Sequence, residues 1–367
     1  MRIAVFHELP EGGALKVINE MAIRLKKDHI VDLYTTQENN KFNYEKYYTN
    51  TFVYKFKSKK WKGNNWKTRI YKDSVELFKL FLLHKKIAGE IRKKDYDILF
   101  VNGSKYIEAP FILLFKNKNK VLFCHNTNYR FIYEPILGIP KNLDLFRTFY
   151  EKTNRFIRKN LDLINIKSAD KIITGSKYEV EMIKKTYGLK SKSIPYGVDS
   201  NFFVPSKTKK KYDVLFIGSS HLLEGYPTLL EVEKILPKEI IIKKILGDIE
   251  WVTDINELRH LYQSSKIVLS LGHNEPFGLT PLDAMSCSVP VIAVNEGGYK
   301  ETVIDGVTGY LVPKDPKIIA RKIKYLLKND KVFRQMGIRG RIHMKKNYNW
   351  DRNVNELTKL FKQIIND

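Results

Sequence analysis

Cysteine is scarce in this chain, which has 367 residues and only two cysteines, Cys124 and Cys287. Both lie in apolar surroundings, which argues against a disulfide framework and against a Cys-based metal site. We therefore expect two buried thiols and a reduced, cytoplasmic setting.

Long apolar runs are also missing. No uninterrupted stretch approaches the roughly 20 apolar residues that a membrane-spanning helix needs. The first residues, MRIAVFH, are typical of a buried strand and not of a signal peptide. The sequence thus predicts a protein that is soluble or bound peripherally to a membrane.

Acidic residues are few compared with basic ones: 40 Asp and Glu face 65 Lys and Arg, for a formal net charge of +25. Such a surplus indicates an anionic partner, which leaves nucleic acid, an anionic membrane surface and phosphorylated small molecules as candidates. No nucleic-acid-binding motif accompanies the charge, so we expect no specific nucleic-acid partner.

One basic segment also carries aromatic residues. Residues 57–72, KSKKWKGNNWKTRIYK, alternate cations with aromatics, and residues 77–86, LFKLFLLHKK, flank apolar side chains with lysines. Two interpretations remain open. The segment lies on an anionic lipid surface, or it is a solvated basic loop before a core helix.

The most informative stretch is residues 273–290, HNEPFGLTPLDAMSCSVP. A strand is predicted before it, at Lys266–Leu271, and another at its end, at Val289–Val294. Thr280 followed by proline is typical of an N-cap and first turn, so a helix is predicted from about Pro281 to Cys287.

This strand–loop–helix arrangement suits a phosphorylated ligand with hydroxyl groups. The helix would direct its free N–H groups and its positive dipole end beyond the strand ends. Glu275 lies in the loop and Asp283, eight residues later, is expected in the first helical turn. Two carboxylates near bare amides can bind hydroxyls while the amides bind phosphate.

The rest of the chain alternates strands and helices. A strand at Arg2–Phe6 is followed by a tight turn at Gly12 and Gly13 and then by a helix, which is how nucleotide-binding α/β sheets begin. The segment YDVLFIGSSHLLEGYPTLLE repeats this pattern in the second half. The alternation predicts parallel, doubly wound sheets. Further strands are expected at Ile30–Tyr34, Ile98–Val101 and Lys120–Cys124.

The string EPFGLTPLDAMSCSVPVIAVNEGGYKETVIDGVTGYLV resembles the donor-site signature of the retaining glycosyltransferases of family 4. The resemblance implies the GT-B fold, with two Rossmann-like doubly wound parallel-sheet domains facing across a cleft. It implies an acceptor-side domain over residues 1–200 and a donor-binding domain over residues 201–349. The last helix, residues 350–367, is expected to pack back on the first domain.

The resemblance also implies roles for residues of the second domain. Glu275 would contact the hydroxyls of the transferred sugar, and Asp283 the ribose hydroxyls of the nucleotide. The amides at Gly278, Leu279 and Thr280 would face the leaving diphosphate.

In the first domain the resemblance carries over to a histidine and a glycine pair. His125 follows the strand VLFC, and strand carboxyl ends are where open α/β sheets place ligands. The family has a histidine here that reaches the donor sugar and the reaction centre. Gly12 and Gly13 would lie near the acceptor and the phosphate.

The sequence departs from the family where the donor diphosphate is neutralised. In the segment YDVLFIGSSHLLEGYPTLLE, family members place an Arg directly after the glycine that corresponds to Gly218 and a Lys five residues later. This chain has Ser219 and Glu224 at those two positions. Losing two charge-assisted hydrogen bonds costs about 3 to 6 kcal/mol. Ser219 remains a candidate donor-binding residue, and Lys177, Lys243 and Lys244 are candidate replacement cations.

The resulting hypothesis is a retaining, metal-independent transfer of a sugar from a nucleotide-sugar to an acceptor hydroxyl on a glycan, glycolipid or lipid-linked molecule. No cofactor or metal is expected, and the D-x-D formed by Asp95 and Asp97 is interpreted as coincidental because it precedes a buried strand. The alternative is a weak or inactive homologue that binds sugars or a partner protein. The base of the nucleotide, the sugar and the acceptor do not follow from the sequence.

Overall fold

The protein is described from a computed structural model that covers residues 1–37, 44–60, 65–126, 133–140, 142–250, 252 and 254–367. The chain divides into two compact units. The first unit consists of Met1–Gly175, Glu179–Ile194 and Val354–Asp367, and the second of Ser176–Tyr178 and Pro195–Asn353.

The first unit is built on a seven-stranded sheet whose paired strands are all parallel, in the order β3-β2-β1-β4-β5-β6-β7. Its central strands read as continuous apolar runs because helices cover both faces of a parallel sheet. The strands are β1 (Arg2–Glu8), β2 (Ile30–Thr35), β3 (Asn50–Val53), β4 (Ile98–Ser104), β5 (Lys120–Cys124), β6 (Lys171–Thr174) and β7 (Lys192–Ser193).

Helices connect these strands. A π-helical segment, Lys72–Glu76, joins α3 to α4 without a break, so that the chain is helical from Trp66 to Lys93. The helices are α1 (Gly13–Leu25), α2 (Tyr44–Tyr47), α3 (Trp66–Tyr71), α4 (Leu77–Lys93), α5 (Glu134–Leu137), α6 (Leu145–Lys167) and α7 (Lys177–Tyr187).

The second unit has a five-stranded parallel sheet in the order β12-β11-β10-β8-β9. The strands predicted on either side of the informative stretch are both present, with ends that differ by one or two residues. The strands are β8 (Tyr212–Gly218), β9 (Ile242–Leu246), β10 (Ser265–Ser270), β11 (Val291–Val294) and β12 (Gly309–Val312). The helices that follow α7 are α8 (Tyr226–Ile235), α9 (Ile255–Gln263), α10 (Leu279–Ser286), α11 (Tyr299–Thr302), α12 (Pro316–Lys328), α13 (Asp330–Asn347) and α14 (Trp350–Asn366).

The last helix contributes to both units in turn. Its residues up to Asn353 belong to the second unit, where a Cβ on Gly197 would come within 2.6 Å of the Trp350 ring. From Val354 onward it belongs to the first unit, and the Phe361 ring packs edge-on against Phe100 at 5.3 Å. Its apolar side chains Val354, Leu357, Phe361 and Ile364 are buried.

Among the described residues, no helix is both long enough and apolar enough to cross a membrane.

Candidate active site

The loop between β10 and α10 carries most of the predicted site. Helix α10 begins at Leu279, and its N-cap is Gly278, so the predicted cap at Thr280 and the predicted start at Pro281 are wrong. Gly278 has φ +93°, which favours glycine, and a Cβ there would come within 2.7 Å of the Tyr299 ring. The Thr280 hydroxyl instead hydrogen-bonds to buried Tyr262.

The earlier start of α10 also changes the position of the second acid. Asp283 is the fifth residue of the helix, and the first turn contains no acidic residue, so its predicted place in that turn is wrong. Asp283 is only 4% exposed. The pKa of Cys287 is raised to about 12, and the pKa of Tyr262 is raised well above its ordinary value. In both cases burial is the largest cause, and the negative charge of Asp283 is the next.

A glycine pair holds the loop that bears Glu275. Gly297 has φ +56°, and a Cβ there would lie 2.3 Å from the carbonyl oxygen of Glu275. At Gly298 a Cβ would lie 2.5 Å from the carbonyl oxygen of Pro276, and its N–H donates to the Glu275 carbonyl at 2.7 Å. Only glycine permits this close backbone approach, so the turn fixes the loop.

Two more contacts hold the same loop. The Ser176 hydroxyl donates to the Pro276 carbonyl at 2.6 Å, and the Phe277 ring packs on Tyr196 at 4.6 Å. The half-buried Glu275 is therefore presented by a backbone with little freedom, as a residue that orients a substrate must be.

No side chain caps α10. Gly278 has no side chain to accept a hydrogen bond, and Pro281 at the third helical position has no N–H. The amides at Gly278, Leu279 and Thr280 therefore form an N-terminus of the kind that binds anions.

The carboxyl end of β8 holds the residues that replace the family cations. Ser219 is half-buried, and the next residue, Ser220, donates its N–H to Asp248 at 2.8 Å. Glu224 ends a short 3₁₀ turn, and its Oε2 lies 3.4 Å from where a Cβ on Gly218 would be. An acidic side chain thus lies where family members have a cationic lysine.

Lys314 was not singled out by the sequence and follows the carboxyl end of β12. Its ammonium nitrogen is buried and has no hydrogen-bond partner among the described residues. Burial lowers its pKa to about 8, against the opposing charge of Glu296. Glu296 also accepts the N–H of Asn274 at 3.2 Å, and Lys314 acts on the pKa of His273, so this cation lies beside the start of the Glu275 loop. Of the replacement cations predicted, Lys244 already pairs with an acid, Glu233, at 2.8 Å.

In the first unit, His125 follows β5 directly, as predicted. Its Nε2 lies 2.9 Å from the Asn102 Oδ1 on neighbouring β4, and its ring packs on Phe123 at 4.5 Å. Burial, and to a lesser degree His7, lower the pKa of His125 to about 3. The imidazole is therefore neutral, and Asn102 accepts from Nε2–H, which leaves Nδ1 as the acceptor.

The end of β1 carries a buried polar cluster that the sequence reasoning missed. The Thr36 hydroxyl donates to the Glu8 carboxylate at 2.5 Å, and His84 Nε2 lies 3.1 Å from it. Burial alone would raise the pKa of Glu8, but His84 and the hydroxyls of Ser104 and Thr36 hold it below its ordinary value. His7 is fully buried, with a pKa lowered to about 4 by burial. Polar residues at the ends of adjacent apolar strands were the signal for this cluster.

The glycine pair after β1 is placed as predicted. Gly12 is the N-cap of α1 with φ +150°, and Gly13 is the first helical residue. No side chain caps this helix either. The structure thus presents a second glycine-led helix start at a strand's carboxyl end.

The D-x-D pair lies just before β4, at the amino-terminal ends of the strands of the same sheet. Asp97 accepts the N–H of Arg2 at 2.7 Å, and Asp95 pairs with Lys118 at 2.6 Å. Both acids thus have local structural partners.

Sequence models of two families match the chain. The model described as Glycosyltransferase Family 4 matches residues 11–202, and the one described as Glycosyl transferases group 1 matches residues 231–343. The chain belongs to glycosyltransferase family 4. The predicted family and the predicted enzyme class, a glycosyltransferase, are confirmed.

Curated relatives of this family 4 member include two informative matches. It is 42% identical to the alpha-1,3/1,6-mannosyltransferase of Rhizomucor pusillus over 88 residues, which is 24% of this chain and 19% of that protein. It is 22% identical to an uncharacterized glycosyltransferase of Methanocaldococcus jannaschii over 98% of this chain and 97% of that protein. The first match thus spans about a fifth of its relative's length.

Solved structures establish the fold. Sucrose-phosphate synthase of Thermosynechococcus elongatus superposes with a TM-score of 0.72 at 18% identity, over 99% of this chain and 98% of that one. The Anabaena protein HepE, solved with UDP-glucose, gives 0.73 at 16% identity, over 99% and 100%. The predicted GT-B class, two Rossmann-like parallel-sheet domains, is confirmed.

Proposed function

We propose that the protein transfers a sugar, with retention at the anomeric carbon, from a nucleotide-sugar donor to an acceptor hydroxyl. The observation that carries this proposal is the start of α10. It is a helix N-terminus with a glycine cap and no side-chain cap, and it follows a loop in which a glycine pair fixes Glu275.

The second unit binds the donor in this proposal. The amides at Gly278, Leu279 and Thr280, with Ser219, bind the diphosphate and stabilise the charge that develops as it leaves. Glu275 accepts hydrogen bonds from the transferred sugar, and Asp283 is assigned to the ribose on the family resemblance. Metal-free catalysis then depends on fixed dipoles and cations.

The first unit supplies the acceptor side. Neutral His125, oriented by Asn102, offers Nδ1 to a sugar hydroxyl, and the backbone at Gly12 and Gly13 lies near acceptor and phosphate. The acceptor is a glycan, glycolipid or lipid-linked molecule. The acceptor oxygen forms a bond to the anomeric carbon of the donor sugar while the bond between that carbon and the phosphate oxygen breaks. The leaving phosphate takes the proton of the acceptor hydroxyl.

The same proposal places the enzyme in the cytoplasm, bound peripherally to an anionic membrane. The net charge of +25 supports attraction to such a surface.

A second candidate function is a weak or inactive homologue that binds a sugar or a partner protein. Glu224 favours it, because a carboxylate near Gly218 repels a diphosphate that family cations would attract. Lys314 opposes it, because it brings a buried ammonium to the start of the donor loop.

The test begins with donor identity. UDP-, GDP- and ADP-sugars are screened for thermal stabilisation, starting with UDP-sugars because HepE was solved with one. A ligand at a hundredfold excess over its Kd stabilises the folded state by about 2.7 kcal/mol, so a true donor raises Tm measurably. Hydrolysis or transfer of that donor is then assayed.

Glu275→Gln should lower turnover of the identified donor by about a hundredfold, because a substrate-orienting hydrogen bond is weakened at the reacting sugar. Glu257→Gln, an exposed acid in the first turn of α9, is the matched control and should leave turnover unchanged. If Glu275→Gln turns over donor at the wild-type rate, the assigned role is wrong. If no nucleotide-sugar shifts Tm or is consumed, the non-catalytic function is favoured instead.

A further inference from the structure

Helix α6 differs from an ordinary surface helix, because most of its fully buried side chains are polar and many of its large apolar ones are exposed. Leu161 and Leu163, towards its end, are partly buried against the core. One apolar side chain, Ile166, is fully buried. The other buried residues of α6 are all polar: Glu151, Asn154, Asp162 and Asn165. The exposed residues include Leu145 (91%), Phe146 (70%), Phe149 (69%), Phe156 (68%), Ile157 (50%) and Ile164 (54%).

Hydrogen bonds fix this orientation. Asn165 donates to the Ala109 carbonyl at 2.7 Å, and Asp162 accepts the Ala109 N–H at 3.3 Å. Nearer the start of the helix, Arg158 pairs with Asp73 at 2.6 Å. Rotating the helix to bury its phenylalanines would break all three contacts and leave buried polar groups unpaired, so the apolar face stays outward.

The outward apolar residues form one stripe. Leu145 and Phe149 are four residues apart, and Phe149 and Phe156 are seven apart, so they lie above one another on the same side of the helix. A contiguous exposed apolar surface of this kind marks an interaction site.

The exposed charged side chains within α6 all have one sign, while the N-cap before it, Asp144, pairs with Arg147 at 3.3 Å. Both acids of α6, Glu151 and Asp162, are turned inward. The exposed charged residues of the helix are Arg147, Lys152, Lys159 and Lys167. The outward face therefore carries large apolar side chains and cations together, with Lys152 three residues after Phe149 and four before Phe156.

We infer that the outward face of α6 docks on an anionic lipid bilayer surface. Its phenylalanines enter the interface between headgroups and acyl chains, and its lysines reach the lipid phosphates. A second copy of a chain with net charge +25 would bring cations against cations on this face. Nucleic acid would satisfy the cations but leave the apolar stripe exposed to water.

A neighbouring helix supports the same occupant. Residue Asp73, which α6 contacts, lies in the π-helical segment that leads into α4. On α4, Phe78 is 60% exposed and Leu82 is 47% exposed, with exposed Lys79 and Lys85 beside them. This is the segment for which the sequence left a lipid surface open; its residues 61–64 lie outside the described residues.

The inference deepens the proposed function by naming the surface that meets the membrane. Its test uses the full chain without donor or acceptor, so a failure to bind lipid leaves the transfer reaction untouched. Cosedimentation is measured with vesicles of phosphatidylcholine and phosphatidylglycerol, and with vesicles of phosphatidylcholine alone. Wild type should bind the anionic vesicles much more strongly.

Two variants examine the two components of the face. The Phe149→Ser/Phe156→Ser variant should bind anionic vesicles at least tenfold more weakly, because the apolar insertion is lost. The Lys152→Gln/Lys159→Gln variant should bind about twenty-five-fold more weakly, at about fivefold per cation near the surface. Neither pair packs in the core, so Tm should stay unchanged, and the lysine variant keeps the test valid if the phenylalanine variant fails to fold.

The matched control is Ile338→Ser/Ile342→Ser on α13, where the two isoleucines are 57% and 60% exposed. It should bind like wild type. Wild-type binding by the phenylalanine variant, or an equal loss in the control, overturns the inference. So does a dimer in light scattering that the phenylalanine variant converts to monomer, because the face would then be a self-interface.

Discussion

Gly297→Ala is the substitution that most directly separates loop geometry from general stability. At φ +56° an alanine costs about 1 to 2 kcal/mol relative to glycine. Its Cβ would also lie 2.3 Å from the Glu275 carbonyl oxygen and 2.7 Å from the Glu275 nitrogen, so the loop must move. We expect a Tm lower by several degrees and, because a displacement of about 1 Å costs about a hundredfold, a matching loss in kcat/KM.

Gly306→Ala is the matched control in the same unit. Gly306 has φ +70°, and a Cβ there meets nothing within 4 Å. It should share the backbone cost and the modest fall in Tm while keeping donor affinity and turnover. Calorimetric titration of the donor and steady-state kinetics are measured on both variants. Equal activity of the two would refute the idea that the glycine turn positions Glu275.

Three further predictions follow from buried ionisable groups. The pKa of His7 is about 4 in the folded state and near 6.5 when unfolded, so the neutral form is favoured by folding. Stability should therefore fall by up to about 1.4 kcal/mol per pH unit as pH drops from 6.5 to 4, and His7→Gln should flatten this slope in urea titrations. Lys314→Met should weaken binding of UDP, or of the nucleotide identified by the screen, about tenfold at pH 7, and the affinity of the wild type should decline as pH rises through about 8. Lys317→Met, at an exposed position, should change neither the affinity nor its pH dependence. Glu8→Ala should cost about 3 to 5 kcal/mol in denaturant unfolding because His84 loses its buried partner, and a loss below 1 kcal/mol would contradict the assigned pairing.

Much of the fold was predictable because its strands are buried on both faces. Runs such as VLFC and VIAV carry this signal within a few residues, and both sheets followed from it. The start of α10 was not predictable in the same way. Thr280 has the residue type of a cap, but the cap is Gly278, which has a positive φ and leaves no room for a Cβ beside the Tyr299 ring from a later part of the chain.

The orientation of α6 shows another limit of sequence reasoning. Periodicity reports two faces of a helix but not which one is buried, and the usual assumption places the apolar face inward. Here hydrogen bonds to Ala109 and Asp73, both distant in sequence, decide otherwise. Lys314 and Glu8 were missed for a similar reason, because the residues around them come from parts of the chain that are distant in sequence.

The division of the chain has a practical consequence for fragment work. Since the last fourteen residues, Val354–Asp367, complete the first unit, no single cleavage yields both halves intact. A fragment ending at Ile194 would lack the aromatic ring that covers Phe100 and should tend to aggregate. Adding the C-terminal peptide in trans should restore its solubility, whereas the segment from Pro195 to Asn353 lacks only Ser176–Tyr178 of the second unit.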